Sequence, residues 1–371
     1  MKTVLVDVGS FYTKVRVMCP GIEGPGGEAP MGGLQSYGRG FFPSLACRAE
    51  DLDKSRIYYE HEGQLYAVGY DGARSLRLEQ IPAAFDDEAF DITRALLILK
   101  RIVFDYADPG DELDIQVVVD SAQRAQVFEH VADVLGGSAV EVAAFRGYDG
   151  RRIRKEVAMT FTLMSSGDAV AGFLDRSGMA SETALVVDVG HNRTKLYVVG
   201  GEEGVELFRS LRVGVSFYYE KILRLLAEES AADNHYLWLV KQIELGCDEV
   251  EVRRDGAAGL QGGVAGLPAS RHVDVSLVLE NVRWDLNKEF QRFTTDTLTS
   301  YYTNRVEWPG RLVVMGGGAS LNGEILRLSL EEAGFCFKGV YVEKEPMYAV
   351  LDGAAYVLGE EAAWAAAGRG Q

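Results

Sequence analysis

The sequence predicts an α/β protein built as two similar domains around an interdomain cleft, each with a smaller inserted subdomain. One short pattern occurs twice about half a chain apart, strands alternate with amphipathic helices after each copy, and 371 residues exceed what one hydrophobic core usually serves. In the first copy Val4-Leu5-Val6-Asp7-Val8-Gly9 runs through three residues to Thr13-Lys14-Val15. In the second, Leu185-Val186-Val187-Asp188-Val189-Gly190 runs through three residues to Thr194-Lys195-Leu196. Each is an apolar strand that stops at Asp-Val-Gly, turns and resumes, which describes a β-hairpin with an acid and a glycine at its tip.

The remaining elements follow in order. Pro20 to Gly40 is crowded with glycine and proline and reads as a long mobile loop. Phe41-Phe42-Pro43-Ser44-Leu45-Ala46 restarts order, and Ile57–Glu60 with Leu65–Gly69 reads as another hairpin within the inserted subdomain, rich in aromatic and branched residues. Asp91 can cap a helix through Leu96, Leu99, Ile102 and Val103 that stops at Asp108-Pro109-Gly110. Ile115–Val119 is a buried strand, Ser121 caps a helix running to Gly136-Gly137, and Val157–Leu163 is a further strand ending at Ser165-Ser166-Gly167-Asp168. After the second hairpin come helices around Tyr218–Ala227 and Tyr236–Leu245, a patternless glycine-rich excursion over Arg253–Ser270, and a long amphipathic helix capped by Asp274. Arg311–Met315 is a strand running into Gly316-Gly317-Gly318 and a helix from near Leu321, and Pro346 opens the final helix, which ends near Gly368. The domains expected are 1–165 with an insertion over about 20–90, completed by the C-terminal helix 340–371, and 166–339 with an insertion over about 220–272.

Composition narrows the function. Hydrophobic residues make 47% of the chain and charged ones 25%, ordinary values for a globular protein with a large core. A net charge of −17 opposes direct binding to nucleic acid or anionic membranes, because the field of the whole molecule repels phosphate. No segment has the apolar length of a membrane span and the start lacks a signal-peptide core, so a cytoplasmic location is expected. Cys19, Cys47, Cys247 and Cys336 are scattered without a Cys-x-x-Cys pair, which favours reduced thiols over a metal or iron–sulfur site.

The paired tips are where chemistry is expected. Glycine lets the backbone turn tightly so that N–H groups converge on phosphate oxygens, while each aspartate can hold Mg²⁺ or its water shell. Gly316-Gly317-Gly318 permits close approach of a flat ring or sugar, or is simply a tight strand-to-helix turn.

Two Asp-x-Gly hairpins followed by a strand and a glycine-rich turn resemble the actin, hexokinase and heat-shock chaperone superfamily, over nearly the whole chain. The resemblance implies an actin-like, ribonuclease H-like fold with ATP or ADP and Mg²⁺ held between the domains. It implies phosphate binding by Asp7, Gly9, Ser10, Phe11 and Tyr12, with Lys14 reaching the β- and γ-phosphates, and Asp188, Gly190, His191 and Asn192 closing from the other side. Asp7 and Asp188 would hold Mg²⁺ through water, and Gly316, Gly317, Gly318 and Ser320 would form the adenosine turn. Lys14 is otherwise a solvated edge lysine, and its counterpart Lys195 reads as structural or solvent-facing. Lys241 and Glu244, one turn apart on a helix, are similar to the family's pair at adenine and ribose, or form an intrahelical ion pair. Asp168 stands where the family places the acid that orients the attacking water, and a helix N-cap is the competing role.

Among members of the superfamily the chain looks most like plasmid-segregation actins of the ParM type and archaeal actin-like proteins, through Phe42-Pro43-Ser44 and Tyr66-Ala67-Val68-Gly69. That likeness implies an ATPase that assembles with itself into filaments and disassembles after hydrolysis, reaching any DNA cargo through a basic adaptor and needing no membrane. An actin-fold scaffold with little turnover and a small-molecule kinase are the alternatives.

Overall fold

The computed structural model describes residues 1–20, 34–49, 56–73, 85, 90–146, 150–180, 182–200, 204–212, 214–216, 219–221, 249–253, 270–293, 310–332, 334–335 and 337–368. Both repeats fold as the sequence predicts. In the first, β1 (Lys2–Val8) and β2 (Tyr12–Pro20) pair antiparallel with Asp7 opposite Lys14; in the second, β10 (Ala184–Val189) and β11 (Thr194–Val199) pair antiparallel with Asp188 opposite Lys195. Opposite charges directly across a hairpin are mutually stabilising, which gives the repeated Asp–Lys spacing a local reason.

The repeat extends well beyond the hairpins. In the first half β2 pairs on its other side with β3 (Leu34–Pro43), and β1 pairs in parallel with β7 (Glu112–Val119), which pairs in parallel with β9 (Arg151–Ser165). In the second half β11 pairs with β12 (Val205–Leu211), and β10 pairs in parallel with β15 (Arg311–Met315), which pairs in parallel with β16 (Gly339–Val342). The first sheet continues past β9 through β8 (Gly137–Arg146), β5 (Ile57–His61), β6 (Gln64–Val68) and β4 (Ala46–Arg48) to nine strands; the second has five. β13 (Glu249–Arg253) and β14 (Ser270–Asp274) form a separate ribbon.

Helix starts follow the predicted caps. After the single turn α1 (Tyr70–Ala73), α2 (Ile92–Tyr106) begins at Asp91, whose side chain accepts the Arg94 N–H, and α3 (Ala122–Leu135) begins at Ser121, which accepts from Arg124. At α5 (Ser276–Phe293) the Asp274 carboxylate accepts the Ser276 N–H at 2.9 Å. α6 (Ala319–Glu332) starts two residues before Leu321, and Pro346 opens a 3₁₀ turn that leads into α7 (Ala349–Gly368).

Several expectations needed correction. Pro20–Gly40 is not one loop, because Leu34–Gly40 belong to β3; residues 21–33 lie outside the described set. Gly40 there leaves room for the Tyr106 hydroxyl, which a β-carbon would strike, so this glycine serves packing rather than a loop. β8 carries no clear pattern in the sequence and forms by pairing with β9, which itself starts at Arg151 rather than near Val157. The helix expected over 236–245, most of the one over 218–227 and most of the glycine-rich excursion over 253–270 lie outside the described residues.

Two cores result. One packs α2 and α3 against the first sheet through Leu97, Ile102, Val103, Phe128, Val131 and the inward residues of β1 and β7. The other encloses α4 (Ser166–Arg176) and α7: Leu5, Met18 and Val118 of the first sheet and Val186, Tyr197 and Val313 of the second meet Ala169, Phe173, Leu351 and Ala354 of the helix pair. α4 and α7 touch at glycines, since a β-carbon on Gly172 would lie 2.7 Å from the Gly353 carbonyl oxygen. Asp352, 8% exposed, draws in Arg16 of β2, Arg39 of β3 at 2.7 Å and Arg176 of α4 at 2.8 Å, tying these elements to α7.

Candidate functional site

The two hairpin tips face one another across a cleft that opens to solvent. Each tip is shaped alike: the Gly9 N–H donates to the Tyr12 carbonyl at 3.0 Å and the Gly190 N–H to the Arg193 carbonyl at 2.8 Å. A β-carbon at Gly9 would lie 2.9 Å from the Tyr12 carbonyl oxygen, and one at Gly190 2.8 Å from that of Arg193, so both turns require glycine. Thr13 and Thr194 are fully buried behind the tips, with the Thr13 and Ser44 hydroxyls 2.9 Å apart. Alternation along each strand therefore buries the threonine and turns the next residue, lysine, to the cleft.

From the first hairpin Asp7, Gly9, Ser10, Phe11, Tyr12 and Lys14 line the cleft. Asp188, Gly190, His191, Arg193 and Lys195 line it from the second, with Gly317 and Gly318 beside them. Gly316 sits one step behind: at φ +91° it passes beneath Asp188, its N–H donates to the Pro346 carbonyl at 2.8 Å, and a β-carbon would lie 2.6 Å from the Val189 carbonyl oxygen. Ser320 lies in the first turn of α6.

Other expected residues fall elsewhere. The Asn192 amide turns away and donates to the Phe85 carbonyl at 2.7 Å, so it secures the tip rather than facing the cleft. Lys241 and Glu244 lie outside the described residues. The helix cap at α4 is Ser165, not Asp168: the Ser165 hydroxyl accepts the Asp168 N–H at 3.0 Å and donates to the Asp168 carboxylate at 2.7 Å. Asp168 is exposed and lines a different groove, with Gln116, Thr162, Ala171 and Asp175.

Of the two roles expected for Lys195, structural or solvent-facing, the structure shows the first: it is part-buried in the cleft, 2.8 Å from Asp120 and 3.9 Å from Asp188. Asp120 and Arg124, which line the cleft from the end of β7 and the start of α3, went unread as site residues. The internal symmetry points to them. Asp7 is opposite Val118 and Asp188 opposite Met315, so Asp120 occupies the position that Gly317 takes in the second half.

The cleft is electrostatically dense. Burial alone would raise the Asp7 carboxyl, but Lys14, which donates to it at 2.7 Å, and Lys195 together hold it below the usual carboxylate range. Burial wins at Asp188, whose carboxyl is raised despite Lys195 and Lys14, with Asp7 and Asp120 adding repulsion. At Asp120 burial is overcome by Lys195 and Arg124, and its carboxyl sits far below the ordinary range. Lys195 shows the converse: burial lowers it, yet Asp120, Tyr197, Asp188 and Asp7 outweigh that and raise it. Burial pushes His191 down to about 3, so it is neutral; it stacks on Phe11 at 4.1 Å and on Tyr219 at 5.3 Å.

A hard divalent cation fits this donor set. Asp188 carries a buried negative charge that its neighbours leave under-compensated, with Asp7 beside it, and oxygen donors suit Mg²⁺. Among the described residues no group of three or more His, Cys, Asp or Glu converges on one point. No helix among the described residues is long and apolar enough to cross a membrane.

No protein-family model matches the sequence, and no curated protein sequence matches it. Solved structures do resemble the fold. An archaeal actin homolog, Ta0583, solved in complex with ADP, is 16% identical with a TM-score of 0.58 over 97% of this chain and 99% of that one. A ParM filament subunit from Clostridium botulinum is 14% identical with a TM-score of 0.63, covering 97% and 99%. MreB5 of Spiroplasma citri bound to AMPPNP is 13% identical with a TM-score of 0.57, covering 100% and 99%. The chain has an actin-like fold.

Proposed function

We propose that this actin-fold chain binds a magnesium-chelated adenine nucleotide between its two halves and assembles with itself into filaments, with hydrolysis of the terminal phosphate setting their lifetime. The observation that carries the reading is the pair of facing Asp-turn-Lys hairpins, whose buried carboxylates and part-buried lysines line one cleft. Supporting it, one solved neighbour holds ADP, another AMPPNP, and a third is a filament.

In this reading the tip amides and Lys14 cradle phosphate oxygens, and Gly317 and Gly318 leave room for the sugar or ring. Asp7 and Asp188 would hold Mg²⁺, which when bound neutralises charge on the β- and γ-phosphates. A ligand touching both halves favours their closed arrangement, and loss of the γ-phosphate relaxes it; this is how hydrolysis would weaken subunit contacts. At a net charge of −17, a DNA cargo would be joined through a basic adaptor rather than directly, and a cytoplasmic setting fits this use.

One observation favours a second reading, a nucleotide-binding scaffold with little turnover. The acid expected to orient water, Asp168, faces another groove and is engaged by Ser165. Sedimentation and phosphate release measured together with Mg-ATP, Mg-ADP or neither separate the two. Pelleting with Mg-ATP alone, followed by phosphate release and disassembly, is expected. Assembly indifferent to nucleotide would sink the cycling filament, and assembly on Mg-ATP without phosphate release would establish the scaffold.

A further inference from the structure

Resting on the nucleotide reading of the cleft, we infer that Lys195 is a phosphate-holding cation of the second hairpin, parked on Asp120 of the opposite half until a triphosphate displaces that carboxylate. The 2.8 Å ion pair spans the cleft: Asp120 directly follows β7 of the first sheet, and Lys195 lies on β11 of the second. Both side chains line the space where phosphate would sit, and each is about one-fifth exposed. An acid is a poor choice for that position if it only walls an anion site. Its counterpart in the second half is Gly317, which brings no charge at all.

The ion inventory explains how the acid is tolerated. Lys14 is matched to Asp7 at 2.7 Å and Lys195 to Asp120, which leaves Asp188 with its nearest lysine 3.9 Å away. An incoming Mg-triphosphate brings a cation for Asp7 and Asp188 and oxygens for the two lysines. Asp120 is then the acid left over. Arg124, four residues on and 3.8 Å from Asp120, already lies on its own side of the cleft to receive it. Binding thus exchanges the ion pair between the halves for a contact of Lys195 with phosphate, while Asp120 keeps the Arg124 it already touches. A ligand that does not reach Lys195 leaves the original pair closed, so the exchange favours triphosphate over diphosphate.

The test is calorimetric titration of the full chain with Mg-ATP and Mg-ADP. Asp120→Asn, close to isosteric, frees Lys195 and removes an anion; it is expected to tighten Mg-ATP about tenfold and Mg-ADP less than about threefold. Lys195→Gln should weaken Mg-ATP at least about tenfold, whereas Lys195→Arg, which keeps the charge, should stay within about threefold of wild type. In the Lys195→Gln background the gain from Asp120→Asn should shrink below about threefold. Asp120→Asn protein that binds Mg-ATP no tighter than wild type would overturn the exchange, as would a gain undiminished without Lys195. Wild-type protein that binds neither nucleotide would instead remove the nucleotide reading, and this inference with it.

Discussion

Gly353→Ala tests the junction on which both halves rest. A β-carbon at Gly353 would lie 2.6 Å from the Phe173 nitrogen and nearer still to the Ala169 carbonyl oxygen, against a floor of 3.0 Å for real contacts. Both obstacles are backbone of α4, which cannot rotate aside, so α4 and α7 must move apart; relieving the Phe173 contact alone takes 0.4 Å, and the Ala169 contact more. Overpacking costs roughly 1–3 kcal/mol and two backbone obstacles place this case at the upper end; the better helix propensity of alanine returns about 1 kcal/mol, leaving a net loss of roughly 2 kcal/mol. In a chain this large that lowers the thermal midpoint by only a few degrees, roughly 2–4 °C per kcal/mol. Because the helix pair lies between Leu5 and Val118 of one sheet and Val186 and Val313 of the other, spreading it also tilts the two hairpin tips. Urea unfolding and Mg-ATP titration of the same protein are the assays, with reduced stability and weaker binding expected together. A variant as stable as wild type, or more so, would refute the tight crossing; lost stability with unchanged affinity would refute its link to the cleft.

Three further outcomes are expected. Asp168→Ala removes the partner of Ser165 at the start of α4 and should cost about 0.5–1 kcal/mol, with Mg-ATP affinity unchanged; a hundredfold fall in phosphate release with binding intact would return Asp168 to a water-positioning role. His191, held near 3 in the fold against 6.5 when exposed, binds fewer protons folded than unfolded, so stability is full above pH 6.5 and falls as pH drops from 6.5 towards 3. The slope is roughly 1.4 kcal/mol per pH unit, and His191→Phe, which keeps the stacking, should flatten the curve of urea midpoint against pH in that window. Gly316→Ala places a β-carbon against the Asp188 carboxylate and the Val189 carbonyl at a left-handed φ of +91°, and should weaken Mg-dependent nucleotide binding more than Gly317→Ala, whose β-carbon meets nothing nearer than 3.9 Å. Equal titration curves for the two variants would show that Gly316 does not shape the Asp188 site.

Local chemistry made much of this protein legible. The period-2 runs around Asp7 and Asp188, the caps at Asp91 and Ser121, and the glycines at the tips act over a few residues, so they are written in the sequence and recur in the structure. The same is true of most of the cleft lining, because the turn that exposes Gly9 also carries Ser10 to Lys14. Where glycine served long-range packing, as at Gly40 beside Tyr106, local rules misread a strand as a loop.

What the tertiary structure alone decided is which charges meet. Asp120 follows a strand of one sheet, Lys195 lies on the other, and they share no sequence signal, yet burial and proximity make them one ion pair, and the same packing turns Asp168 and Asn192 away from the cleft. The repeat by itself determined that two alike tips exist. Their partners were set by how α4 and α7 hold the two sheets together, since electrostatic coupling depends on distance and burial and not on separation along the chain.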